Sequence, residues 1–301
     1  MTERNTTTTL RRIVAGTDFT RPASAAVMRA AMLAEEHGAK LRIVHVAPRV
    51  SGVELRRLGV KIPKVDSSLT AADARLQETV EQARLIHADV SGKMVTGSPP
   101  AMLVAEATRF DADLIVVGHH GERSLRRVVI GTTAERLMER WGRDILVVRR
   151  PPKNAYRRVL VCVALAPASG AVVRSALRLS DQADIHVLHA YEPVFEKLLV
   201  KHGVDASAIE EHHRVAVTEA SDRIDRLLRE IAPTGVRRFK TLLRRGDPFD
   251  VIERIARRTL PDVVVLGRNE SAIEEFFLGG VTKNVVRTIS ADVLIAGRAR
   301  S

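Results

Sequence analysis

At 301 residues the chain is long enough for two ordinary domains, each with its own core. Apolar residues at 45% and charged residues at 28% exclude a disordered chain, and no apolar run is long enough to span a bilayer. The formal charge of +12 would attract anions, but aromatics at 3% leave little material for stacking nucleic-acid bases.

The basic residues are dispersed, as in Arg123, Arg126, Arg127, Arg136, Arg140 and Arg143, so the charge reads as a solvated surface. The N-terminal stretch MTERNTTTTLRR has no apolar segment, so a secretory signal is not expected. The single cysteine, Cys162, lies in an apolar run and reads as core. A cytoplasmic protein is the expectation.

Taken in chain order, the first half predicts strands near 11–17, 41–46, 92–96, 113–117 and 144–149, with helices between them. Pro22 suits the first turn of a helix that runs through the alanine-rich segment from Ala25 to Ala34. Ser68 or Thr70 is the expected cap of a helix running to about His87. Pro99 and Pro100 open a further helix after Gly97. The first, second, fourth and fifth strands are nearly continuous apolar runs, the pattern of a parallel sheet covered on both faces.

The chain is then written a second time. Arg11-Arg12-Ile13-Val14-Ala15-Gly16 matches Arg157-Arg158-Val159-Leu160-Val161-Cys162, and Leu41 to Val46 matches Ile185 to Ala190. Gly97-Ser98-Pro99 matches Gly246-Asp247-Pro248, and each is followed 21 residues later by a strand-closing glycine, Gly118 or Gly267. The apolar runs after Asp144 and Asp292 close the two copies. The joint falls near Arg149 to Asn154, where Pro151 and Pro152 interrupt regular structure. The domains are therefore expected at 1–150 and 155–301.

In an open parallel sheet, ligands bind beyond the carboxyl ends of the strands. Gly118 ends the fourth strand there, and Gly131-Thr132-Thr133 precedes the helical pattern Ala134-Glu135-Arg136-Leu137-Met138. Free N–H groups at a helix N-terminus attract anions, and glycine lets a phosphate approach them. Asp18 follows the first strand and is equally suited to capping the helix after it. His119 and His120 are adjacent and point apart on an extended segment, so no metal site is expected of them. His212 and His213 are expected on an exposed helix face. Walker A and dinucleotide fingerprints are both lacking, and no catalytic residue stands out.

With these features in place, the sequence resembles the universal stress protein family in its tandem, two-domain form. The family's ATP signature is Gly, two residues, Gly, nine residues, Gly, then Ser or Thr; Gly118, Gly121, Gly131 and Thr132 fit it without a gap. Gly16-Thr17-Asp18 after the first strand and His45-Val46 at the end of the second extend the likeness. It implies an α/β fold of two tandem Rossmann-like (adenine nucleotide alpha hydrolase-like) domains, each a five-stranded parallel sheet flanked by helices. It also implies ATP as cofactor, with Mg2+ able to accompany it. Gly16, Thr17 and Asp18 would line the nucleotide pocket, Val46 would meet the adenine face, and Val117 would pack near the ribose or base. Gly118, Gly121, Gly131, Thr132 and Thr133 would surround the phosphates. The two copies would pack about a pseudo-twofold axis as an intramolecular pseudo-dimer, with homodimerisation of whole chains left open.

The second copy departs from the pattern. Aligning Gly279 with Gly131 leaves the loop one residue shorter, puts Glu270 near the second glycine and puts Gly280 where the hydroxyl should be. Glu270, Glu274 and Glu275 oppose a triphosphate, and Ala164 replaces Asp18. The expected protein is a nucleotide-responsive stress adaptor or chaperone-like factor with ATP in its first domain and weak or no ATP binding in its second. It is not expected to be a dedicated ATPase, although slow hydrolysis is compatible with the fold. Two alternatives stay open: a nucleotide-dependent transferase on the same sheet, and a basic nucleic-acid-associated protein.

Overall fold

A computed structural model describes residues 9–48, 65–119, 132–180, 182–191, 205–233, 239–268 and 280–297. The chain divides into two units, Met1–Ala155 and Tyr156–Ser301. The first unit runs β1 (Arg12–Thr17), α1 (Arg21–His37), β2 (Lys40–Ala47), α2 (Val65–Arg84) and β3 (Val90–Thr96). It continues with α3 (Pro99–Arg109), β4 (Leu114–Gly118), α4 (Thr132–Arg140) and β5 (Asp144–Val148). Its strands lie in the order β3-β2-β1-β4-β5 and every adjacent pair is parallel.

The second unit runs β6 (Arg158–Cys162), α5 (Ser169–Leu179), β7 (Asp184–Tyr191), α6 (Ala206–Ile231) and β8 (Phe239–Arg245). It ends with α7 (Pro248–Thr259), β9 (Val263–Leu266), α8 (Gly280–Thr288) and β10 (Asp292–Ile295). The order β10-β9-β6-β7-β8, again all parallel, repeats that of the first unit. Each unit is a Rossmann-like α/β domain.

Burial follows strand position. Every residue of β5, β9 and β10 is buried, as are all but one residue of β1, β4 and β6, so these strands are covered on both faces. The edge strands β3 and β8 keep exposed positions, which explains why their sequences carry Ser91, Lys93, Lys240 and Arg244. The amino ends of the two central strands are tied alike. The Asp113 carboxylate accepts from the backbone N–H groups of Arg11 and Arg12 at 2.8 and 3.1 Å, and Asp262 accepts from Arg157 and Arg158 at 2.9 Å each.

Helix α1 starts at the Thr20 cap, whose side chain accepts from Ala23 N, and stops at Gly38, in the left-handed region at φ 63°. Its inward face is largely alanine (Ala23, Ala26, Ala30 and Ala34), which lets its backbone lie close to β1 and β4. The start expected for α2 is corrected. That helix begins at Val65, so Ser68 and Thr70 lie inside it, and it ends at Arg84 rather than near His87. The good helix formers Ala71, Ala72, Ala74 and Leu76 outweigh the cap preference of the residues before them.

In the second unit the Tyr156 hydroxyl donates to the Asp292 carboxyl at 2.6 Å, and the Ser180 hydroxyl donates to Tyr156 O at 3.1 Å, all within the core. Removing the phenol would strip a buried acid of a close donor. Tyr156→Phe is expected to lower stability by about 1–3 kcal/mol in urea unfolding. A change within error would show that Asp292 is satisfied without the phenol.

Candidate functional site

The order β3-β2-β1-β4-β5 reverses direction between β1 and β4: the chain leaves β1 towards β2 on one side and returns to β4 on the other. A crevice opens at the carboxyl ends of strands that diverge in this way. Gly16, Thr17 and Asp18 lie at the end of β1, Val46 near the end of β2, and Val117 and Gly118 at the end of β4. The structure thus brings six of the expected residues to one sheet edge. Thr132 opens α4 and Thr133 follows it, partly buried. Gly121 and Gly131 lie outside the described residues, as do His120, Glu270, Glu274, Glu275 and Gly279.

The β1–α1 turn is tightly braced. Phe19 adopts φ 63°, a conformation that L-residues rarely take, and its N–H donates to the Thr17 hydroxyl at 3.0 Å. Asp18 Oδ1 accepts from Thr20 N at 3.1 Å and from the Thr20 hydroxyl at 2.5 Å. Capping of α1 therefore falls to Thr20, with Asp18 as its support. Among the described residues none donates to Asp18 Oδ2, and the side chain is exposed. Thr17 is 7% exposed, and its oxygen already serves the turn.

Two residues given no site role in the sequence reading hold this turn from the other side. His45 Nδ1 lies 2.9 Å from Thr17 O; a carbonyl only accepts, so Nδ1 carries the proton. The imidazole stacks on the Phe19 ring with centroids 4.3 Å apart. Arg75 of α2 lies over the other side of the turn, 4.6 Å from the Phe19 centroid, and donates to Phe19 O at 3.4 Å.

The second unit repeats this device on different side chains. His189 Nδ1 lies 2.8 Å from Val163 O, Arg223 of α6 donates to Leu165 O at 2.5 Å, and Leu165 has φ 60°. The only sequence hint of this was the match of His45 with His189 between the copies.

The two described glycines of the first site have a packing reason to be glycine. A Cβ on Gly118 would lie 2.7 Å from both C and O of Pro22 and 3.0 Å from Ala23 N, inside the backbone of the first turn of α1. A Cβ on Gly16 would meet Leu103 at 3.1 Å and Val117 at 3.4 Å, side chains that could yield. Val117 is 5% exposed and Val46 half-buried, so both offer apolar wall.

His119 N donates to Val148 O at 3.1 Å and its Nδ1 lies 3.2 Å from the same oxygen, which turns this histidine back onto β5. Among the described residues no group of three His, Cys, Asp or Glu side chains could hold a metal ion. His213, expected to be exposed, is partly buried in α6.

At this sheet edge the second unit contains a cavity of about 270 Å³. Val163 and Ala164 of the β6–α5 turn, Gly267 after β9 and the first residues of α8 are among its lining. Thr282 is buried there, and its hydroxyl donates to Gly267 O at 2.9 Å.

The universal stress protein family model matches residues 9–149 and again 155–297, and the chain belongs to that family as a tandem member. Universal stress protein MJ0577 of Methanocaldococcus jannaschii is 26% identical over 133 residues, which cover 42% of this chain and 82% of that protein. Universal stress protein MJ0531 of the same organism is 37% identical over 62 residues, covering 21% of this chain and 36% of that protein. The chain spans only 36%, 48% and 33% of three of the curated relatives it matches. The crystal structure of PA1789 from Pseudomonas aeruginosa, described as functionally unknown, covers 98% of this chain and 95% of its own at TM-score 0.68 and 16% identity. That likeness establishes the fold over nearly the whole chain. No helix among the described residues is long and apolar enough to cross a membrane.

Gly118→Ala is expected to cost about 1–3 kcal/mol of stability with no nucleotide present, because its Cβ meets backbone rather than a mobile side chain. Urea unfolding of the wild type and the variant tests this. An unchanged midpoint would mean that Gly118 is glycine for another reason.

Proposed function

We propose that the protein binds ATP in its first unit and acts as a nucleotide-responsive stress adaptor or chaperone-like factor. The observation that carries this reading is the strand reversal between β1 and β4, with Gly16 and Gly118 on its two sides and α4 starting nearby. Family membership supports the stress assignment, and the spacing Gly118, Gly121, Gly131 and Thr132 supports the nucleotide.

The residues present suit such a ligand. The first amides of α4 point outward without intrahelical partners and carry the positive end of the helix dipole, which suits phosphate oxygens. Thr132 and Thr133 would add hydroxyl donors, and Gly121 and Gly131 would let the phosphates approach the backbone. Asp18 Oδ2, which accepts from none of the described residues, suits a ligand hydroxyl, and Val46 and Val117 suit an apolar ring. Mg2+ would arrive as the counter-ion of the phosphates, since no described cluster of side chains forms a metal site of its own. A partner that binds the loaded and empty forms unequally would convert nucleotide occupancy into a response. No chemical step is proposed.

Isothermal titration of the full chain with ATP at near-physiological salt tests the reading. Gly131→Val is expected to weaken binding at least about a hundredfold by intruding on the phosphates, while Gly279→Val leaves affinity and stoichiometry unchanged. Loss of binding in Gly279→Val with retention in Gly131→Val would put the nucleotide in the other unit. A protein held mainly by phosphodiester charge would lose affinity steeply with salt, whereas binding to backbone amides is expected to change far less.

A further inference from the structure

Both units hold the carbonyls of their first turn with a histidine and an arginine, but the first unit adds an aromatic ring to the contact. The His45 imidazole stacks on Phe19 with ring centroids 4.3 Å apart and planes 30° apart. The Arg75 guanidinium lies over the same ring, 4.6 Å from its centroid. In the second unit that position is Leu165, which adopts nearly the same backbone conformation, φ 60° against 63°. Leu165 keeps the carbonyl contacts from His189 and Arg223 without any ring between them. The bonds to backbone therefore suffice to make the turn. The ring contact is surplus to it, and it occurs in the unit whose preceding residue is Asp18 rather than Ala164.

What the ring adds is a fixed direction for Asp18. That side chain is exposed, and its Oδ1 accepts from Thr20 N at 3.1 Å and from the Thr20 hydroxyl at 2.5 Å. Both bonds span Phe19, so they hold the carboxylate only as firmly as Phe19 itself is held. A ring tied to β2 through His45 and to α2 through Arg75 keeps that short loop still. An exposed carboxylate left free to rotate loses that freedom when a ligand binds, and affinity falls accordingly. A carboxylate already set in place does not incur that loss.

We infer that Phe19, clamped by His45 and Arg75, is a positioning residue of the nucleotide site that presets Asp18 Oδ2 for a donor on the ligand. It acts through Asp18 and not by contact with the nucleotide. Such a role rests on ATP occupying the first unit.

Calorimetric titration of the full chain with ATP tests it through a double-mutant cycle. Phe19→Leu installs the second unit's own residue, so the turn is retained, and ATP affinity is expected to fall about three- to tenfold. Phe19→Tyr, which keeps the ring, is expected to bind within about twofold of the wild type. Asp18→Ala weakens ATP binding by itself, and Phe19→Leu added to it causes no further loss. Arg75→Gln, on an exposed helix surface, is expected to give a smaller loss that also vanishes beside Asp18→Ala, and it replaces Phe19→Leu in the cycle if that variant shifts the urea midpoint. An equal loss from Phe19→Leu with or without Asp18, or no loss at all, would overturn the role of Phe19 while leaving the ATP site standing. So would an unchanged affinity in Asp18→Ala. A wild-type chain that binds no ATP would instead contradict the nucleotide site itself, and the role of Phe19 with it.

Discussion

The structure depends on how each unit turns from its first strand into its first helix. Phe19 and Leu165 both sit in the left-handed region, at φ 63° and 60°, where an L-residue costs about 1–2 kcal/mol. That cost is offset by the same pair of contacts in each unit. A histidine from the second strand holds the carbonyl two residues earlier, and an arginine from the long helix holds the carbonyl of the strained residue itself. Strain that is over-determined by its surroundings marks a turn whose position matters. Here it sets the helix start and the residue before it, Asp18 or Ala164, at the edge of the sheet where the strand order reverses.

The consequence is one backbone frame with two chemistries. In the first unit the frame carries Thr17, Asp18 and a glycine, Gly118, that lets α1 press its first turn against β4. In the second unit it carries Val163 and Ala164 beside an apolar cavity. Because the bracing contacts run to backbone carbonyls, they do not depend on which side chains line the site. A duplicated domain can therefore change its ligand without changing its turn.

Much of this was legible in the sequence, and the exceptions have physical reasons. The buried strands announced themselves as apolar runs, and Pro22, Pro99 and Gly97 marked helix starts, because these signals are local. The brace was not legible: His45 and Arg75 act on carbonyls 28 and 56 residues away, and a bond to backbone leaves no partner residue to recognise. In the sequence Gly118 signals room for a ligand, whereas its missing Cβ also makes room for Pro22, a contact across 96 residues of sequence. The start of α2 is hidden in the sequence because Ser68 and Thr70 look like caps yet lie inside a helix rich in alanine. The changed chemistry of the second unit was visible as substitutions, but the cavity they line could be seen only in three dimensions.

The two units share a fold, and the proposed nucleotide site belongs to the first alone. Native mass spectrometry of the full wild-type chain with increasing ATP counts bound nucleotides directly. A single ATP per chain at saturation is the expected result. Two bound nucleotides would contradict the division between the units, and a folded chain that binds none would contradict the nucleotide site itself.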